Sequence, residues 1–226
     1  MRHALRRRRL AALPLALLVV TVSGPSARGQ EAVALTEGDG LAAMQERVST
    51  FVEALVAYTK EVRLTEAGLE SVLDHYLALE DVHGEEEAQQ VVERAFRGDG
   101  YDFGVVVGDP TYVAWCGERG LEPEPFFRQF LRLQALWMRE ESLGGLSRAL
   151  EELPGQRAEI DAAREQMGEE AYARAVASLE EAQAMIAQTR AMMEQLPVPG
   201  GDEAALLEKH EGRIRDTLGQ DEPGRE

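Results

Sequence analysis

A seven-residue repeat in the C-terminal half is the feature that most restricts how this chain can fold. Four large side chains recur every seven residues: Tyr172, Leu179, Ile186 and Met193. A second row, offset by three, holds mainly small side chains: Ala175, Ala182, Thr189 and Leu196. Residues spaced in this way share one face of an α-helix. The repeat predicts the longest helix of the chain, over 169–196, with a narrow seam that docks another helix of this chain or of a partner.

Helix signals cover most of the remaining sequence. Apolar residues recur at spacings of three and four, and residues that cap helices precede them at Asp39, Thr65 and Asp109. Gly120 is placed to end a helix in the left-handed conformation. The sequence therefore predicts an all-α fold, an irregular bundle of about six to eight helices without a significant sheet.

Three places interrupt the helical pattern. Val105–Val107 have strand propensity, but a lone strand has no partner, so we expect a buried loop segment there. Gly144-Gly145 and Pro154-Gly155 are expected to break the chain again.

A helix over 126–139 is apolar around most of its circumference and is expected to be the central buried one.

The length of the chain is that of one domain after removal of a leader. We expect a single helical domain over 39–218. A signal peptide at 1–29 and a flexible leader at 30–38 precede this domain, and a disordered tail at 219–226 follows it. The domain itself has an N-terminal half at 39–97, a joint at 98–109 and a C-terminal half at 110–218.

The N-terminus has the layout of a secretory signal peptide. Arginines crowd residues 2–9, an apolar run of 13 residues follows at 10–22, and the small residues Ala27 and Gly29 come after it. The run is shorter than the ~20 apolar residues of a transmembrane helix. The pattern predicts export to the periplasm or the extracellular space, with an uncleaved anchor as the alternative. The 22 arginines against two lysines indicate a GC-rich bacterial genome.

Charge excludes two classes of partner. Residues 1–29 hold six of the 24 basic residues and none of the 41 acidic ones, so the mature chain has a net charge of −23. Nucleic acids and anionic lipid surfaces require clustered Lys and Arg. We therefore expect no nucleic acid, no stable membrane insertion after signal cleavage, and a protein partner with a basic face. The oligomeric state is left open.

The aromatic residues mark the candidate binding site. Six of them lie in 112–137, and five of these are the candidate site residues: Tyr112, Trp115, Phe127, Phe130 and Trp137. Aromatic side chains supply much of the buried area of a small domain, so a core is the first interpretation. A pocket for an apolar ligand, or a groove for a partner helix, is the functional alternative.

Catalytic and metal-binding patterns are weak. Glu80 and His83 have the spacing of a di-iron bundle motif, but no second motif accompanies them, and His210 has Leu207 where the glutamate would stand. Asp74-His75 offers no nucleophile, and Cys116 follows Trp115 without a basic cluster nearby. We expect no catalytic residues, no metal and no cofactor. Cys116 is expected to be a buried free thiol, with an intermolecular disulfide as the alternative.

These patterns favour an exported, non-enzymatic helical protein. Its expected role is protein–protein interaction, of a scaffold or chaperone-like kind, in the bacterial envelope. A carrier of a small apolar ligand is the first alternative, and an enzyme with an unrecognised site is the second.

Overall fold

Helices make up nearly all the regular structure. The computed structural model describes residues 39–98 and 100–218, so the predicted signal peptide, leader and tail lie outside the described residues. In chain order the elements are α1 (Asp39–Thr59), α2 (Glu66–Glu80), α3 (Glu85–Ala95), β1 (Phe96–Arg97), β2 (Gly100–Tyr101), α4 (Phe103–Val107), α5 (Pro110–Glu118), α6 (Pro123–Ala162), α7 (Arg164–Met167), α8 (Glu169–Met193), α9 (Gly201–Lys209) and α10 (Glu211–Leu218). The predicted all-α class is confirmed. No helix in these described ranges is both long and apolar enough to cross a bilayer.

Local capping signals set several helix boundaries. The hydroxyl of Thr65 accepts a hydrogen bond from the backbone N–H of Gly68 at 3.1 Å and begins α2. The carboxylate of Asp109 accepts the N–H groups at the start of α5, where Pro110 needs no partner. Gly120, with φ of 67°, lets Leu121 donate back to Cys116 at 2.9 Å. These three boundaries were predicted, because each depends on neighbouring residues alone.

The loop predicted for Val105–Val107 is wrong, since these valines end the short helix α4. Asp102 caps that helix by accepting the N–H of Gly104 at 2.8 Å, and Val106 is buried. Just before it, β1 and β2 pair antiparallel, with Phe96 opposite Tyr101. Side-chain capping and burial thus outweigh the preference of valine for extended backbone.

The breaks predicted at the glycine pair and at Pro154 are also wrong. Gly144, Gly145, Pro154 and Gly155 all lie inside α6, which has 40 residues. The prediction that the longest helix covers 169–196 is therefore wrong too, since α8 has 25 residues. A glycine costs a helix only about 1 kcal/mol relative to alanine. Leu146 is buried, and Leu150 and Leu153 are half-buried on the same helix. Tertiary packing of this kind stabilises helix that local propensity disfavours.

The chain divides into two compact units, which we call the core unit and the hairpin unit. The described part of the core unit comprises 39–98, 100–132 and 200–218, and the hairpin unit comprises 133–199. α6 contributes its first ten residues to the core unit and the rest to the hairpin unit.

A buried ion pair closes the core unit around its C-terminal segment. The carboxylate of Glu203 accepts hydrogen bonds from Nε and Nη2 of Arg132 at 2.9 and 2.7 Å. It also accepts the backbone N–H groups of Leu64 at 2.8 Å and Gly200 at 2.9 Å. Both charged side chains are 3% exposed. Burial acts to raise the pKa of Glu203, but these hydrogen bonds outweigh it and lower the pKa to about 2.

Gln129 holds the loop between α1 and α2 against α6. Its Oε1 accepts the backbone N–H of Thr65 at 3.0 Å, and its Nε2 donates to the carbonyl of Arg63 at 2.9 Å. A Cβ atom on Gly68 would lie 2.3 Å from that same Oε1. Glycine is therefore required there for the close approach of the glutamine.

Candidate functional site

The hairpin unit consists of two antiparallel helices. The hydroxyl of Tyr172 donates to Asp161 at 2.7 Å, and Arg157 lies 4.0 Å from Glu180. Residues further along α8 therefore meet residues earlier in α6. The predicted seam therefore contacts a helix of the same chain at Tyr172, the first residue of the repeat.

The turn of the hairpin is built from α7 and a glycine. Gly168 has φ of 79°, in the region that favours glycine, and begins α8. Arg164 pairs with Glu169 at 2.9 Å, and its guanidinium lies 4.8 Å from the centre of the Tyr172 ring. These contacts are exposed, so they orient the turn more than they stabilise it.

The other end of the hairpin is held by one arginine. Nη1 of Arg139, on α6, donates to the carbonyls of Met193, Glu194 and Leu196 at 2.8 to 3.1 Å. These carbonyls lie at the C-terminus of α8, where the helix dipole favours a positive charge. Arg139 therefore fixes where α8 ends, which is Met193 rather than the predicted Leu196.

The apolar face of α8 is only partly covered. The repeat residues Tyr172, Leu179 and Ile186 are half-buried, and no residue from 169 to 192 is buried. Burial begins only at Met193 and Leu196. Beside the repeat, Met185 is 37% exposed, and Met167 at the turn is 40% exposed. The hairpin thus presents a stripe of apolar side chains that α6 covers incompletely.

The hairpin unit is acidic. It holds six basic and twelve acidic residues, a net charge of −6. Several of its arginines pair with acids on their own helix, such as Arg157 with Asp161 at 3.2 Å and Arg190 with Glu194 at 2.9 Å. The surplus of carboxylates gives the surface around the stripe a negative potential, which favours a basic partner.

Four of the five predicted aromatic site residues lie together in the core unit. Tyr112 stacks on Trp115 with centroids 6.2 Å apart, and Phe127 contacts Tyr112 at 5.7 Å and Phe130 at 5.9 Å. All four are buried. The fifth, Trp137, belongs to the hairpin unit and is half-buried. The four rings pack against one another, as aromatic side chains do in a hydrophobic core.

Beside these rings lies the thiol of Cys116. The side chain is free and fully buried, and burial raises its pKa, with smaller opposing effects from Tyr112 and Arg119. The predicted burial of the thiol is confirmed. A thiol whose pKa is raised is a poor nucleophile. The indole N–H of Trp115 is buried without a hydrogen-bond partner, while Arg119 lies over the ring at 4.6 Å.

The structure also assembles two histidine clusters that sequence patterns did not indicate. His83 lies between Asp109 and Glu87, each at 3.5 Å, and Asp109 pairs with Arg94 at 3.2 Å. Each ring nitrogen of His83 faces a different carboxylate, and its Nδ1 atom is buried without a hydrogen-bond partner.

The second cluster joins Glu66 and Glu70 of α2 to His210, which follows α9. One ligand atom of each residue lies within 4.8 Å of the others. Residues 66 and 210 are far apart in sequence, so no local spacing could have indicated this cluster.

No protein-family model, curated protein or solved structure matches this chain.

Proposed function

We propose that the hairpin unit is a docking module for a helix of another protein of the bacterial envelope. The observation that carries this proposal is the exposure of α8, where a seven-residue apolar repeat has no buried residue from 169 to 192. Helices in water take most of their stability from packing of an apolar face. A third helix laid along the stripe would supply the missing packing.

The partner helix is expected to combine an apolar face with basic residues. Fully burying a leucine or isoleucine side chain contributes about 1.5–3 kcal/mol, so completing the burial of Leu179 and Ile186 adds roughly half of that for each. The net charge of −6 on the hairpin would attract a basic partner and repel an acidic one. This combination of a narrow apolar stripe and an acidic surround supports a scaffold or chaperone-like role.

Docking can be tested with a pair of substitutions on one helix. Ile186→Asp places a carboxylate in the stripe, whereas Gln183→Asp adds the same charge at an exposed position outside the repeat. Cross-linking and affinity capture from the envelope fraction should recover one stoichiometric, salt-sensitive partner with the wild type and Gln183→Asp. Capture should fall at least about tenfold with Ile186→Asp.

Circular dichroism separates lost docking from lost folding. Met185→Glu changes an exposed stripe residue and gives a second test that leaves the hairpin intact. Equal capture by all four proteins would contradict docking at the stripe. Native mass spectrometry that finds a bound lipid and no captured protein would favour the apolar-ligand carrier instead.

We further propose that the protein acts after export, on the basis of the N-terminal layout, which lies outside the described residues. The expected result is a native protein that lacks about 29 residues, because signal peptidase cleaves after small residues such as Ala27 and Gly29. Intact-mass measurement of protein from the periplasm or the medium checks this. An intact chain that retains Met1 would contradict cleavage and favour an uncleaved anchor.

A further inference from the structure

The cluster of Glu66, Glu70 and His210 brings metal-ligand atoms from two separate segments of the core unit together. Glu66 and Glu70 are one turn apart on α2, and His210 is the residue that ends α9. The Nε2 atom of His210 lies 3.8 Å from a carboxylate oxygen of Glu66. One ligand atom from each of the three residues lies within 4.8 Å of the others.

The imidazole of His210 has a ring nitrogen that is free to bind a ligand. Its side chain is 13% exposed, and its Nε2 atom is buried without a hydrogen-bond partner. A buried polar atom without a partner costs free energy, so such atoms usually have a partner that satisfies them. The two glutamates are exposed, and their side chains can rotate toward the imidazole.

We propose that Glu66, Glu70 and His210 bind one divalent transition-metal ion of the Zn²⁺ class. One imidazole nitrogen and two carboxylate oxygens form the mixed donor set that Zn²⁺ accepts, whereas Ca²⁺ and Mg²⁺ prefer oxygen ligands alone. Ligands bound to tetrahedral zinc lie about 3.4 Å apart, as follows from bonds of about 2.1 Å. Rotation of the two exposed glutamates would bring the ligand atoms to that spacing.

The positive charge of Lys209 lies beside one of the three proposed ligands. Its ammonium group forms an ion pair with Glu66, and this contact lowers the pKa of the Glu66 carboxyl. The lysine side chain is 60% exposed, so it can move into solvent when an ion binds. Lys209 is therefore a competitor of the metal, and its removal should strengthen binding.

A bound ion would connect α2 to the junction of α9 and α10. The same junction is tied to α2 by the ion pair of Arg213 with Asp74. Because the ion would bind the folded chain and not the unfolded one, it would stabilise the core unit by mass action. None of the three ligands belongs to the hairpin unit, so the docking proposal and the metal proposal can fail separately.

Titration calorimetry with ZnCl₂ on the metal-free full-length protein tests the site. We expect one ion per chain, bound at about micromolar concentration, and a rise in melting temperature. Glu70→Gln and His210→Gln should each weaken binding at least about tenfold, because each removes a ligand. Glu86→Gln, an exposed glutamate of α3, removes the same charge and should leave binding unchanged.

Further variants sharpen the result. Lys209→Gln should tighten binding, and weaker binding would contradict the competition with the ion. Unchanged affinity in the double variant Glu70→Gln/His210→Gln would overturn the proposal. Loss of binding in His83→Gln but not in His210→Gln would also overturn it. So would tighter binding of CaCl₂ than of ZnCl₂, or the absence of binding at a 100-fold excess of zinc.

Discussion

Glu203→Ala is expected to lower the free energy of unfolding by about 3–5 kcal/mol, because it leaves the guanidinium of Arg132 buried without its partner. It also removes the acceptor of the backbone N–H groups of Leu64 and Gly200. Urea denaturation followed by circular dichroism measures the change. Glu208→Ala, on an exposed position of α9, is the control and should cost less than about 0.5 kcal/mol.

A double substitution identifies the cause of that loss. Replacing both Arg132 and Glu203 with methionine removes the two charges together and should recover much of the stability, since apolar replacements of buried ion pairs are often neutral. If the double methionine variant is as unstable as Glu203→Ala alone, the unpaired guanidinium of Arg132 is not the source of the loss.

The same carboxylate should make stability depend on pH. The pKa of Glu203 is lowered from 4.5 to about 2, so its contribution is fully present above pH ~4.5 and is lost as the pH falls through about 2. The shift corresponds to about 3 kcal/mol. The stability difference between the wild type and Glu203→Gln should therefore shrink from pH 5 to pH 2. A difference that stays constant over this range would contradict the low pKa.

Phe127→Ala should cost about 3–5 kcal/mol, since it leaves a cavity in a packed aromatic cluster. The ring is 2% exposed and lies 5.7 to 6.4 Å from the rings of Tyr58, Phe103, Tyr112 and Phe130. Thermal and urea unfolding of the purified variant measure the loss.

Val113→Ala is the matched control for that substitution. Val113 lies on α5 next to Tyr112 and is 42% exposed, so its truncation should cost less than about 1 kcal/mol. A cost below about 1 kcal/mol for Phe127→Ala as well would show that the ring is not part of a packed core. The apolar-pocket interpretation of these aromatic residues would then gain support.

Features that depend on neighbouring residues were predictable. Thr65, Asp109 and Gly120 act on backbone groups within five residues, and the structure has each of them at the predicted helix boundary. The helical class follows from the same local periodicity. The burial of Cys116 was also predictable, because it shares a short amphipathic helix with buried aromatic residues.

Predictions failed where distant packing opposed a local signal. Gly144-Gly145 and Pro154 ordinarily interrupt a helix, yet α6 continues through them opposite α8. The valines at 105–107 prefer strands, yet the burial of Val106 favours a helix there, and the sequence analysis also missed the local cap at Asp102. The seven-residue repeat also could not predict how exposed Ile186 is. A repeat shows which residues share a face of a helix, but not what packs against that face.

The helical class, several helix boundaries and the acidic charge follow from the sequence alone, because these are properties of short segments or of composition. Which distant residues meet depends on tertiary packing. It brought Glu203 to Arg132 and Leu64, His210 to Glu66, and Arg139 to the end of α8. These contacts join segments separated by 54 to 144 residues. No periodicity encodes such pairs, because they result from the way whole helices pack once their apolar faces are buried.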